Sequence, residues 1–165
     1  MKLTKTIFFT LMILSIISCG QKKDYNTYIN NYYNFSVDTI SVQGLKKIQG
    51  KIKIIDSRSN KEYSTSKIKG ALFINYENPN FTNLNIDKTD TIVVYCTIGY
   101  RSEKIAEKLE KKGYLNVFNL YGGIIQWVNK KNPVFAPTGI QTPFVHTYNQ
   151  DWGKWLTNPD SEAVN

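Results

Sequence analysis

Cys96 is followed by Thr97, Ile98, Gly99, Tyr100 and Arg101, so a thiol and a guanidinium bracket a short loop with a glycine inside it. The thiolate is the reactive form of cysteine, and positive electrostatics and helix N-termini favour it. The apolar run TIVVYC precedes the loop, and SEKIAEKLEKKG follows it with a helical pattern from about Ser102. Backbone N–H groups at such a helix start can converge on the sulfur, where the helix dipole adds partial positive charge. Gly99 tolerates positive φ and lets the loop curl. Arg101 brings a permanent, forked cation suited to a sulfonate or phosphate, and successive amides in the turn form an anion-binding concavity. The plain alternative is a small buried hydrophobe at a strand end. The order strand, loop, helix favours the reactive reading.

The chain has 165 residues and two cysteines. It opens MKLTKTIFFTLMILSIISCG, in which lysines 2 and 5 precede an uncharged apolar stretch over 7–17. That stretch is short for a membrane-spanning helix, and the order basic, apolar, small fits an export signal. IISC at 16–19 resembles a bacterial lipobox, which implies a signal peptide over 1–18, cleavage before Cys19 and a lipid on its sulfur. The chain would then be anchored at the cell envelope. Cys96 would be its free thiol, in a compartment where structural cysteines usually pair. The formal charge is +8, carried largely by scattered lysines. Without an arginine-rich block, this reads as a solvated surface, and no nucleic-acid partner is expected.

The elements that must position Cys96 follow from the pattern. Residues 19–39 are polar and rich in Asn and Tyr, and read as a tether whose tyrosines near 32–35 pack on the domain. Short strands are predicted at 40–42, 51–56, 70–76, 91–96 and 116–120, with a long connection over 77–90. TIVVYC lacks alternation, as a strand buried on both faces should. Ile105, Ala106 and Leu109 share one helical face, Gly113 ends that helix, and YGGIIQWVNKK reads as a glycine turn entering a last helix. Strands alternating with helices predict an α/β domain with a largely parallel sheet, and ligands gather beyond the carboxyl ends of such strands. Arg58 and Glu62 are four apart, a spacing that predicts an ion pair between them.

IIDSRSNKEY at 54–63, IKGALFI at 68–74 and VVYCTIGYRSEKIAEKLEKKGYLNVFNLYGGIIQW at 93–127 together resemble a rhodanese domain, over about 40–131. Asp56 and Arg58 match the family's Asp-x-Arg, Glu62 and Tyr63 its Glu-aromatic pair, Gly70 and Ala71 its Gly-Ala, and Gly122, Gly123 and Trp127 its Gly-Gly…Trp signature. The resemblance implies a mostly parallel sheet of about five strands with helices on both faces. It also implies sulfur transfer, with Cys96 the nucleophile and Arg101 binding the donor's charged end. Thr97, Ile98, Gly99, Tyr100 and Ser102 would line the site, supported by Asp56, Arg58 and Glu62. The expected partners are a small donor such as thiosulfate, a persulfide or a polysulfide, and a thiol or cyanide acceptor. A protein partner is also open, and neither metal nor cofactor is implied.

Lys67 and Lys69 depart from the family's His-Ile-Pro-Gly-Ala string, changing charge near the site. The alternative function is a non-catalytic binding or sulfur-sensing module. A phosphatase fits less well, because four residues separate Cys96 from Arg101 where protein-tyrosine-type loops have five. Residues 132–165 are a C-terminal extension in which Pro133, Pro137 and Pro143 exclude a long helix. Its aromatics are expected to fold back on the domain, with NPDSEAVN disordered. Trp127 is expected in the core, and His146, the one histidine, as a packed residue.

Overall fold

The structure is a computed structural model that describes residues 24–48, 52–82 and 84–165. The expected signal peptide over 1–18 and the expected lipid site at Cys19 lie outside the described residues. In chain order the elements are α1 (Tyr25–Asn30), β1 (Thr39–Ile40), α2 (Val42–Lys47), β2 (Ile52–Asp56), α3 (Asn60–Thr65), β3 (Leu72–Phe73), β4 (Thr91–Tyr95), α4 (Tyr100–Lys111), β5 (Asn116–Leu120) and α5 (Gly123–Asn129). The extension adds β6 (Val134–Phe135), β7 (Gln141–Thr142), β8 (Phe144–His146), α6 (Gln150–Gly153) and β9 (Glu162–Val164). Among the described residues no helix is long and apolar enough to cross a membrane.

Five strands form one parallel sheet in the order β1-β5-β4-β2-β3. β4 is its centre, and successive residues of β4 feed two cores. Ile92 and Val94 join Ile105, Ala106 and Leu109 of α4, while Val93 and Tyr95 join Val42 and Leu45 of α2 and Ile124 and Val128 of α5. Side chains of a strand alternate between faces, so a strand covered by helices on both sides must be apolar throughout. That is why TIVVY shows no alternation.

The chain before β1 is not a free tether where it is described. Asp24 caps α1, Ile29 is fully buried, and Tyr33 is 7% exposed. Glu103 of α4 fixes this segment by accepting from the Asn34 and Ser36 amides at 3.0 and 2.8 Å. The extension folds back, and its aromatic rings meet α1: Tyr25 lies 5.6 Å from Trp155, and Tyr28 lies 5.2 Å from Trp155 and 5.7 Å from Trp152, between ring centres. The disorder expected at the end is replaced by β9, which pairs in parallel with β8. Trp127 is half-buried rather than central, because its indole N–H reaches out to the Pro133 carbonyl at 2.9 Å.

Candidate active site

Cys96 follows the last residue of β4, at the carboxyl edge of the sheet, and is 1% exposed. Its Sγ accepts a hydrogen bond from the Gly99 amide at 3.1 Å. Gly99 is the N-cap of α4 with φ of +118°, so the loop curls through a backbone region that disfavours side chains. The helix starts at Tyr100, two residues before the sequence pattern suggests. Tyr100 and Arg101 therefore belong to its first turn, and the positive end of the helix faces the sulfur.

Three elements hold the loop. The α5 amides of Ile124 and Ile125 donate to the Cys96 and Thr97 carbonyls at 2.9 and 3.3 Å. A Cβ on Gly123 would stand 2.5 Å from those carbonyl oxygens, which explains the glycine at 123: two backbones meet there. From β5, Asn119 donates to the Gly99 carbonyl at 2.9 Å and accepts from Ser102 at 2.7 Å. From the N-terminal segment, the Tyr33 hydroxyl donates to the Ile98 carbonyl at 2.7 Å and accepts from the Gly122 amide at 3.0 Å. It occupies the space that a side chain at residue 99 would need.

Glu62 is the hub of the opposite wall. The Ser59 hydroxyl and Glu62 carboxylate form a capping box that starts α3. The same carboxylate accepts from Arg101 at 2.8 and 2.7 Å, fork to fork, and from the Thr97 hydroxyl at 2.7 Å. Arg101 also donates to Thr97 at 2.8 Å, and its guanidinium lies 5.0 Å from the Tyr148 ring centre. Burial would raise the Glu62 carboxyl, but the hydrogen bonds and charge of Arg101, the Ser59 amide and the Thr97 hydroxyl hold it down at about 2. Burial would lower the Arg101 guanidinium, and the bonds to Glu62 and nearby negative groups raise it above its usual value.

The predicted Arg58–Glu62 pair does not form. Arg58 turns back on Asp56, donating from Nε and Nη2 at 2.9 and 2.7 Å, and both side chains are fully buried. A full turn of helix between Arg58 and Glu62 is missing, because α3 begins only at Asn60. Asp56 also accepts from Tyr95 at 2.6 Å, so its carboxylate ties β2 to β4, and its hydrogen bonds run to Arg58 and Tyr95 and not to the loop. Ser102 likewise points to Asn119 and the Gly99 carbonyl, inside the fold, and is not a lining residue. Lys67 stands away from the site, donating to Tyr63 at 2.8 Å. His146 is packed, as expected, and its Nδ1 accepts from the Tyr148 amide at 3.1 Å.

A cavity of about 330 Å³ opens above the sulfur. Cys96, Thr97, Ile98, Tyr100 and Arg101 line it from the loop, Tyr76 and Glu77 from the segment after β3, Tyr32 from the N-terminal segment, and Tyr148 and Trp152 from the extension. Sequence reasoning missed Tyr32, Tyr33, Tyr76, Glu77, Tyr148 and Trp152 as site residues, since no spacing links them to Cys96. It also missed Asn119, for which a signal exists: an amide in the middle of the apolar strand NVFNL. Among the described residues no group of three or more His, Cys, Asp or Glu side chains is placed to hold a metal.

The profile of the family described as rhodanese-like domain matches residues 41–130. A tRNA uridine(34) hydroxylase of Prochlorococcus marinus subsp. pastoris is 30% identical over 128 residues, covering 72% of this chain and 38% of that protein. A sulfurtransferase of Allochromatium vinosum is 34% identical over 86 residues, covering 52% of this chain and 80% of its own. The chain spans 23% to 38% of the length of the first seven curated relatives, each named tRNA uridine(34) hydroxylase. Among solved structures, the rhodanese-like domain of an Anabaena protein superposes with a TM-score of 0.57 at 21% identity, over 65% of this chain and 85% of that one. A rhodanese-related protein of Thermoplasma volcanium gives 0.53 at 23%, over 59% and 97%. The parallel sheet, the loop held at its carboxyl edge and the match over 41–130 lead to one assignment: this chain belongs to the rhodanese-like domain family.

Proposed function

We propose that the protein is a sulfurtransferase in which Cys96 carries the sulfur as a persulfide. One observation carries the reading: Cys96 Sγ lies at the floor of the cavity and accepts the Gly99 amide at the start of α4. A negative charge on sulfur is stabilised there without any side-chain cation having to move. In the first step the Cys96 thiolate attacks the outer sulfur of a donor. A new S–S bond forms, the donor's own bond to that sulfur breaks, and the leaving group departs with the electron pair. In the second step an acceptor thiolate takes the outer sulfur, the S–S bond to Cys96 breaks, and the Cys96 thiolate returns. The difficult transfer is thereby divided in two.

The compact loop supports a sulfur cargo over a phosphate. Four residues separate Cys96 from Arg101, and Tyr33 fills the space behind Gly99, so the concavity has no slack to widen. The relatives named tRNA uridine(34) hydroxylase share at most 38% of their length with this chain, so the reading rests on the loop and not on that name. The full chain is incubated with thiosulfate, an organic persulfide or a polysulfide, and its intact mass is measured. Cys96 gains one sulfur atom with at least one donor, cyanide or a thiol removes it, and Cys96→Ser gains none. Failure of every donor to load Cys96 defeats the proposal and leaves a binding or sensing role.

A further inference from the structure

Arg101 is the one basic side chain among the described residues that line the cavity, and its charge is already matched. Two bonds run from its guanidinium to Glu62 and one to Thr97. The remaining lining charge, Glu77, is negative. A small dianion entering this space meets a neutralised pair and an acid. What the cavity offers instead is aromatic surface: Tyr32, Tyr76, Tyr100, Tyr148 and Trp152 stand around the path to Cys96. Tyr32 and Trp152 brace each other with ring centres 5.1 Å apart, and Arg101 lies under Tyr148. Tyr32, Tyr148 and Trp152 come from outside the family's matched region, and Tyr76 and Tyr100 from within it, so segments flanking the shared domain supply three of the five rings. The volume of about 330 Å³ is at the lower end of small-molecule pockets and leaves room for an organic body beyond the reacting sulfur.

Resting on the persulfide reading, we propose that the aromatic wall selects an organic sulfane-sulfur donor with an aromatic or apolar body in preference to thiosulfate. The body lies against the rings while its terminal sulfur reaches Cys96. For an aryl thiosulfonate, Cys96 bonds to the terminal sulfur, the bond between the two donor sulfurs breaks, and an aryl sulfinate leaves with the electron pair. Charge and atoms balance without a further reactant. Arg101 is a positioning residue in this scheme, aligning Thr97 and the loop through Glu62.

The test compares benzenethiosulfonate with thiosulfate on the full chain, with cyanide as acceptor. Each kcat/KM is divided by the donor's rate with N-acetylcysteine thiolate, which removes intrinsic reactivity. The normalised ratio is expected to favour the aryl donor by about tenfold or more, since each aromatic contact is worth roughly a factor of two to ten. Tyr100→Ala lowers the ratio by such a factor and Tyr100→Phe keeps it. Trp152→Ala moves it the same way, and if that variant does not fold, the Tyr100 pair decides. A normalised ratio at or below one overturns the inference, as does an equal fall for both donors in Tyr100→Ala. Those results leave the persulfide reading standing. If neither donor loads a Cys96 that iodoacetamide still alkylates, this inference falls, and the persulfide reading falls with it when an organic persulfide and a polysulfide also leave Cys96 unloaded.

Discussion

Glu62 joins two tasks in one carboxylate. It caps α3 through the Ser59 amide at 2.9 Å, and it receives Arg101 and Thr97 from across the site. A side chain that is 1% exposed tolerates its charge only because these donors surround it. Its folded pKa of about 2 lies below the ordinary 4.5, so the unfolded chain takes up the proton first as pH falls. The stabilisation is therefore complete above about pH 4.5 and is lost between there and about pH 2. Glu62→Gln is expected to cost about 1.5–3 kcal/mol at neutral pH, the worth of hydrogen bonds to a charged group. Urea midpoints of the two proteins should converge toward pH 2, and curves that stay parallel would remove Glu62 from the acid sensitivity. The same variant is expected to load sulfur more slowly on Cys96, because Arg101 and Thr97 lose their common anchor.

At the scale of elements, the cysteine loop is a junction. β4 delivers it, α4 begins in it, and the start of α5 binds its carbonyls. The N-terminal segment completes the junction with one hydroxyl, that of Tyr33, which links the Ile98 carbonyl to the Gly122 amide. Burial pushes this phenol well above its ordinary value, so it stays protonated and able to donate. Tyr33→Phe keeps the ring and leaves a buried amide and carbonyl without partners, at a cost of about 1–3 kcal/mol. A chemical-denaturation series measures this, and a shift below a few tenths of a kcal/mol would show that the hydroxyl does not hold the loop. If the junction works as described, the yield of persulfide on Cys96 falls in the same variant.

For the whole molecule, residues on both sides of the family's matched region close on each other. Tyr25 and Tyr28 of α1 meet Trp155 after α6, and β9 lies along β8. Trp155→Ala removes two aromatic pairs and is expected to cost about 1–3 kcal/mol. Since Ile29, Tyr33, Ile98 and Ile125 form one core cluster with Tyr25, Trp152 and Trp155, the clasp and the domain should unfold together. Tryptophan fluorescence and far-UV circular dichroism are expected to give coincident transitions, and an earlier fluorescence transition would show the clasp to be a separate unit.

The sequence by itself determined the α/β architecture, the loop and its nucleophile candidate, because those depend on local order. An unbroken β-branched run makes a doubly covered strand, Ile105, Ala106 and Leu109 share a helical face, and Gly99 and Gly123 stand where positive φ or close backbone approach demands them. The capping box at Ser59 and Glu62 carries a local Ser-x-x-Glu signature that went unused, because the spacing of Arg58 and Glu62 pointed to a different pair. Only the tertiary structure decided who partners whom. Asp56 and Arg58 close on each other at a buried strand end, leaving Glu62 to meet Arg101 from a residue 39 positions away. Tyr32, Tyr33, Tyr148 and Trp152 reach the site from the two ends of the chain, through burial of aromatic area and not through any periodicity. Long-range partners compete in three dimensions for the same charge and the same apolar surface, and the outcome of that competition is not written in local spacing.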